Sequence, residues 1–270
     1  MRKYVLFCLL HLCISGCAGQ SRHNDYLHQQ VSQAINKAIA YFEGQNTGIR
    51  EPDVVILLYL LKEHFGVQMY LPDLELMRKL KPELSTFNIM LYNRYFDDRK
   101  VPSLGDSMAL EYIRKNNHTI DGMNFWSMYC NRYPLADTVL LQLKRHVYRG
   151  HYYMTHAAMQ LSNMLRLGCL QETPEVEKLK ALMVKELLFE ITTDLTDVSN
   201  DLRYESVAML YYLGADTAVT REHIQWIVDT QMPDGGWNAY PRTKNSHPHP
   251  SVLALWALLE YQDAQKNKND

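Results

Sequence analysis

The stretch Gln231-Met232-Pro233-Asp234-Gly235-Gly236-Trp237 decides how this chain is read. It separates an apolar helix through His223-Ile224-Gln225-Trp226-Ile227-Val228 from a long apolar helix running from Ser251 to Tyr261. Two adjacent glycines open backbone angles closed to other residues. Pro233 ends the first helix, and Trp237 is placed to stack back over the turn. Helix, glycine turn, helix is therefore the local plan.

The plan recurs upstream. Glu51-Pro52-Asp53-Val54-Val55-Ile56-Leu57-Leu58 matches His249-Pro250-Ser251-Val252-Leu253-Ala254-Leu255-Trp256 in phase, and both are apolar all round. A helix without a polar face is expected to be buried on every side. Pro52 and Asp53 suit the first turn of theirs. Thr155 to Leu161, ended by Gly168, and Tyr204 to Leu210, ended by Gly214, join the series. Starts at 51, 155, 204 and 249 stand 104, 49 and 45 apart, the first interval being two periods of about 52. A more amphipathic helix precedes each, at 29–45, 136–148, 175–190 and 220–231. The spacing predicts a repeat of helix pairs near 45–50 residues. A missing pair falls within 72–115. Pro72–Leu80 with Leu84–Tyr95, or Asp106–Lys115, would supply it. Asn116 to Pro134, aromatic and without periodicity, reads as an insertion or a cap. Alternating runs are scarce, so the fold class is all-α.

At 270 residues and 47% hydrophobic, the chain can bury one large core. A net charge of −2 and the lack of a basic stripe argue against nucleic acid as a partner. Eighteen Tyr, with seven Phe and four Trp, suit either a lined cavity or helix–helix contacts. Cys130 and Cys169 are the two cysteines of the body. They leave two readings, one bridge in an oxidising compartment or two buried thiols.

The N-terminus reads as an address. Met1-Arg2-Lys3 is a short positive region, and the apolar run from Tyr4 to Ile14 falls well short of the roughly 20 residues that span a bilayer. It closes with Ile14-Ser15-Gly16-Cys17, which resembles a bacterial lipobox. The resemblance implies a signal peptide over 1–16, a diacylglycerol-modified Cys17 and a tether over 17–28 that reaches roughly 18 Å. Several acyl chains anchor a protein firmly. Ala18 after the cysteine implies the outer membrane by the bacterial sorting rule, leaving its periplasmic and surface faces both open.

Gln231, Gly235 and Trp237, with Trp226 five residues before the Gln, resemble the QW motif of the squalene–hopene cyclase and prenyltransferase β-subunit superfamily. A fainter match lies at Phe42 to Gln45. The resemblance implies an α/α toroid over 29–265, in which each motif turns an outer helix into an inner one. The catalytic signatures do not follow. The cyclase Asp-x-Asp-Asp is absent, with Asp194-Leu195-Thr196-Asp197 and Phe96-Asp97-Asp98 the nearest approaches. His249 falls near the position of the prenyltransferase zinc His, but Asp201-Leu202-Arg203-Tyr204-Glu205 offers no Cys. Cofactor and metal are left unassigned.

In a toroid the inner helices begin around one rim, so their first residues converge. The candidates there are Glu51 and Asp53; His151, Thr155 and His156; Tyr204 and Glu205; His247 and His249; and Asp234 and Tyr240 from the turn. Such groups suffice for general acid–base work, and a carboxylate with His can hold a metal. Acids at helix starts also serve the helix dipole. His151 and His156 stand about 140° apart on a helix and cannot act together. His247-Pro248-His249-Pro250 reads as extended, with both rings on one side. The expectation is an envelope-anchored lipoprotein whose aromatic cavity binds a glycan, lipid or peptide. The alternative is a cell-envelope carbohydrate lyase or hydrolase using the rim His and Glu.

Overall fold

The computed structural model describes residues 26–45, 49, 51–71, 106–134, 136–193 and 199–267. The proposed signal peptide, Cys17 and the first placement of the missing helix pair lie outside them. The described residues are all-helical apart from one isolated bridge, Trp237 to His247. Among them no helix is long and apolar enough to cross a membrane.

The chain runs as α1 (26–44), α2 (Pro52–Phe65), α3 (Asp106–Asn116), α4 (Ile120–Met128), α5 (Val139–Arg149), α6 (His151–Arg166), α7 (Pro174–Thr192), α8 (Asn200–Tyr212), α9 (Arg221–Asp229) and α10 (Pro248–Asn267). From α3 onward each odd helix packs on the even one that follows it. The even helices pack on one another in the series α4, α6, α8, α10, and α10 then packs on α2. Composition explains the division. Every residue of α8 from Asn200 to Leu210 is buried, as is every residue of α10 from Pro250 to Leu259. α5 instead buries one stripe, Val139, Leu143, His146 and Val147, and turns its opposite face to solvent. One continuous apolar core extends from Leu27 to Leu259. Each Leu, Phe or Met fully buried in it contributes about 1.5–3 kcal/mol.

The glycine turn joins both ends of the body. Gln231 Nε2 donates to Ala34 O on α1 at 2.8 Å and to Gly235 O at 2.9 Å. Gly235 sits at φ 92°, and a Cβ there would lie 2.4 Å from Lys37 O, so both conformation and space demand glycine. Trp237 is fully buried and donates through Nε1 to Ile227 O at 2.7 Å. Trp226 stacks on Tyr204 at 5.0 Å between centroids. Gln262 of α10 reaches Ser32 of α1 at 3.2 Å.

Several expectations need correction. The stretch after Asn116 is not an insertion: it contains α4, which pairs with α3. Thr119 caps it by accepting from Gly122 N–H, and seven of its nine residues are buried. An amphipathic pattern was missing because so little of this helix meets water. Residues 26–28, the last of the expected tether, are helical, and Leu27 is buried. The His-Pro-His-Pro stretch is extended only as far as His247, because α10 starts at Pro248 and its first turn tolerates proline. Pro52 therefore corresponds to Pro248, not to Pro250. Cys130 and Cys169 form a disulfide with a Cα–Cα distance of 6.0 Å, joining the C-terminal ends of α4 and α6.

Candidate functional site

The inner helices α2, α4, α6, α8 and α10 each contribute to the wall of a cavity of about 370 Å³. Its polar residues form two tiers. Asp53, Asp121, Tyr152, Asp201 and His249 are each the second residue of their helix. One turn deeper stand Glu205 and His156, in register with Leu57 and Leu253. Val54, Leu60, Val252 and Trp256 complete an apolar flank. Asp201 lies behind the lining, where it holds two residues that form it.

The glycine turn positions His249. His247 N–H donates to Trp237 O at 2.8 Å. Ser251 Oγ donates to His247 O at 2.7 Å and accepts from Trp237 N–H at 2.8 Å. The start of α10 is thus bolted to the turn. His249 Nδ1 then faces Asp201 Oδ2 at 3.3 Å, and its Nε2 faces Asp53 Oδ2 at 3.4 Å. Asp201 Oδ2 also accepts from the Tyr152 hydroxyl at 2.5 Å, while its buried Oδ1 has no partner.

The electrostatics split the acids. Burial works to raise the Asp201 carboxyl, but hydrogen bonds from His249, Ser199 and Tyr152 outweigh it and hold the group below its ordinary value. Burial likewise works to lower His249, and is overcome by its bond to Asp201 and by the charges of Asp53, Glu205 and Asp201. Both shifts favour the ion-paired form of the dyad. Burial pushes Glu205 up to about 7, against the opposing charge of His249 and a hydrogen bond with Thr155. Burial, then the Asp201 bond, also raises the Tyr152 hydroxyl. His156 goes the other way: burial lowers it to about 4, helped by the charges of His146 and His249. The site thus combines an Asp201–His249 pair biased towards its charged form, a carboxyl able to hold a proton near neutrality and a neutral imidazole.

Of the sequence candidates, His249, Glu205, His156 and Asp53 meet at the cavity, and Thr155 supports Glu205. The others go elsewhere. His247 faces Glu51 across 3.7 Å, a pair outside the lining, so the two histidines do not share a ligand. Tyr204 is a core residue, its hydroxyl 3.1 Å from Thr230 Oγ1. His151 is largely exposed, 3.5 Å from Glu190. Asp234 serves the turn, accepting from Gly236 N–H at 3.2 Å and Ser246 Oγ at 2.5 Å. Tyr240 is exposed. The expected aromatic lining reduces to Tyr152 and Trp256, because Phe42, Phe125, Tyr129 and Trp237 are spent in helix contacts.

Sequence reasoning missed Tyr152, Asp121 and the role of Asp201. Aligning the inner helices by their second residue would have found all three. Among the described residues, no group of three or more His, Cys, Asp or Glu is arranged to hold a metal ion. Comparison of the chain with family models, with curated proteins and with solved structures returns no match.

Proposed function

We propose that this chain is an envelope-anchored lipoprotein whose helical body, an α/α toroid, binds a small neutral or cationic polar ligand in the cavity among its inner helices. Charge carries the ligand reading. Asp53, Asp121 and Glu205 line the cavity with Asp201 behind them, and no Lys or Arg stands among the described lining residues. His249 is the one histidine there held towards its charged form, and its charge is already matched by Asp201. An anionic ligand would meet more carboxyl groups than cations. The volume lies near the lower end of the roughly 300–1,000 Å³ of small-molecule sites.

The toroid is supported by the series of inner helices and by the contact of α10 back onto α2. Anchoring rests on the lipobox-like Ile14-Ser15-Gly16-Cys17 and the positive segment before it. The Cys130–Cys169 bridge suits an oxidising compartment such as the periplasm.

A second reading, a cell-envelope hydrolase of neutral carbohydrate, is favoured by the proton held on Glu205. Glu205 would deliver that proton to a leaving oxygen, and Asp53 would take one from the attacking water. Lyase action on uronates fits less well, because it needs cations to neutralise the substrate carboxylate. Native mass spectrometry of the detergent-released chain tests the ligand reading. A bound neutral or cationic small molecule, lost from an Asp53→Asn, Asp121→Asn double variant, is the expected result. Retention of an acidic glycan instead would refute the charge argument. Turnover of that neutral ligand by the native chain, abolished in Glu205→Gln, would select the hydrolase.

A further inference from the structure

Behind the cavity wall a chain of amides fixes the ring of His156. Gln160 Nε2 donates to Ile120 O at 3.4 Å and to Asn124 Oδ1 at 2.7 Å. Asn124 Nδ2 then lies 2.9 Å from His156 Nδ1. The orientation of each amide follows from the backbone end of the chain. A carbonyl only accepts, so the Gln160 nitrogen must face Ile120. The Asn124 atom facing that nitrogen must then be its oxygen, and its –NH₂ must face His156. Nδ1 therefore accepts, and the neutral ring carries its proton on Nε2. A second proton on Nδ1 would point at the Asn124 –NH₂, so the same contact opposes charging of the ring. Asn124 and Gln160 are both fully buried.

We infer that His156 is the cavity's fixed hydrogen-bond donor, and that its Nε2–H recognises an oxygen of a neutral hydroxylated ligand, a sugar or related polyol. Nε2 engages no described protein group, and it is not among the buried polar atoms left without a partner. It therefore faces the cavity that His156 lines. The other groups complete a pattern that fits hydroxyls. Asp53 and Asp121 accept hydrogen bonds, and the neutral ring donates one. A sugar hydroxyl does both. An amine would match the carboxylates but leave the Nε2–H facing a cation. The inference rests on the proposed ligand-binding cavity and narrows its ligand from neutral or cationic to neutral and hydroxylated.

The test is long-range proton–nitrogen correlation NMR on the full chain in detergent micelles, labelled with ¹⁵N at histidine and at the tryptophan indole. In the free protein His156 is expected as the Nε2–H tautomer; the Nδ1–H tautomer or a charged ring at neutral pH overturns the inference. The chain is then titrated with N-acetylglucosamine, methyl glucoside and maltose as neutral probes, glucosamine as a cation and glucuronate as an anion. A neutral probe is expected to shift His156 Nε2 together with His249 and Trp256. Asn124→Asp makes Nδ1 the donor; with the ring seen by NMR to stay neutral, Nε2 then accepts and that probe should weaken about tenfold. Shifts at His249 and Trp256 that spare His156, or shifts with glucosamine alone, overturn the inference and leave the cavity reading standing. Silence of all three rings with every probe overturns both. A misfolded Asn124→Asp leaves the tautomer and titration results to decide.

Discussion

Glu205→Gln separates the cost of one buried acid from everything else in the fold. Below pH about 4.5 the carboxyl is protonated in both the folded and the unfolded chain, so it adds no pH dependence. Between about 4.5 and 7 the unfolded chain releases the proton while the folded chain keeps it on Glu205. Folding therefore becomes less favourable as pH rises through this window, and the penalty levels off above 7. A shift from 4.5 to about 7 corresponds to roughly 3 kcal/mol at about 1.4 kcal/mol per unit. Gln keeps the shape and cannot ionise. The variant should match the native chain within about 1 kcal/mol at pH 4.5 and exceed its stability by about 3 kcal/mol at pH 8. Urea unfolding at intervals from pH 4.5 to 8 reads both curves. Burial also holds Glu260 at about 7, which adds a slope of the same sign. It is present in both proteins, so the difference isolates Glu205. Parallel curves would mean that Glu205 is ionised in the fold, and the acid–base reading of the cavity would go with it.

Gly235→Ala should destabilise by more than about 3 kcal/mol in thermal unfolding, since it combines a left-handed φ with a Cβ inside contact distance of Lys37 O. A Tm within a degree of native would remove the turn from its central place. Cys130→Ser opens a bridge spanning 39 residues, and the loop-closure relation sets the loss at about 4 kcal/mol. Equal stability of the native chain with and without reductant would contradict it. Cys17→Ser should abolish incorporation of labelled palmitate in a bacterial host and release the chain from membranes; continued membrane retention without label would refute the lipid anchor.

The helix pairs were legible wherever burial left a pattern. α2, α6, α8 and α10 announced themselves as apolar runs, and α5 as a stripe, because side-chain burial follows the helical period. α4 escaped for a complementary reason: a nine-residue helix buried on nearly all sides, with Gly122 and Asn124 among its aromatics, shows no period. The site was legible only in kind. That polar residues at inner-helix starts converge follows from the architecture, and it identified His249, Glu205 and His156. Their partners depend on register, and register was misjudged by two residues when Pro52 was matched to Pro250. With Pro248 as the true counterpart, Asp53 falls beside His249 and the second-residue tier becomes visible. Only that alignment separates Tyr152, the second residue of its helix and part of the wall, from Tyr204, the fifth of its helix and part of the core. The disulfide was one of two open readings, because pairing depends on the 6.0 Å approach of two helix ends and not on spacing.

The two tiers have a consequence for how such a pocket can change. Of its upper tier, Asp53, Asp121, Tyr152 and His249 are each supplied by a different inner helix, at that helix's second residue. A substitution at exposed Asp53 or Asp121 alters one wall of the cavity and leaves the buried core untouched, whereas one at Asp201 disturbs both Tyr152 and His249. The lining of such a cavity can therefore change one wall at a time, on an unchanged frame.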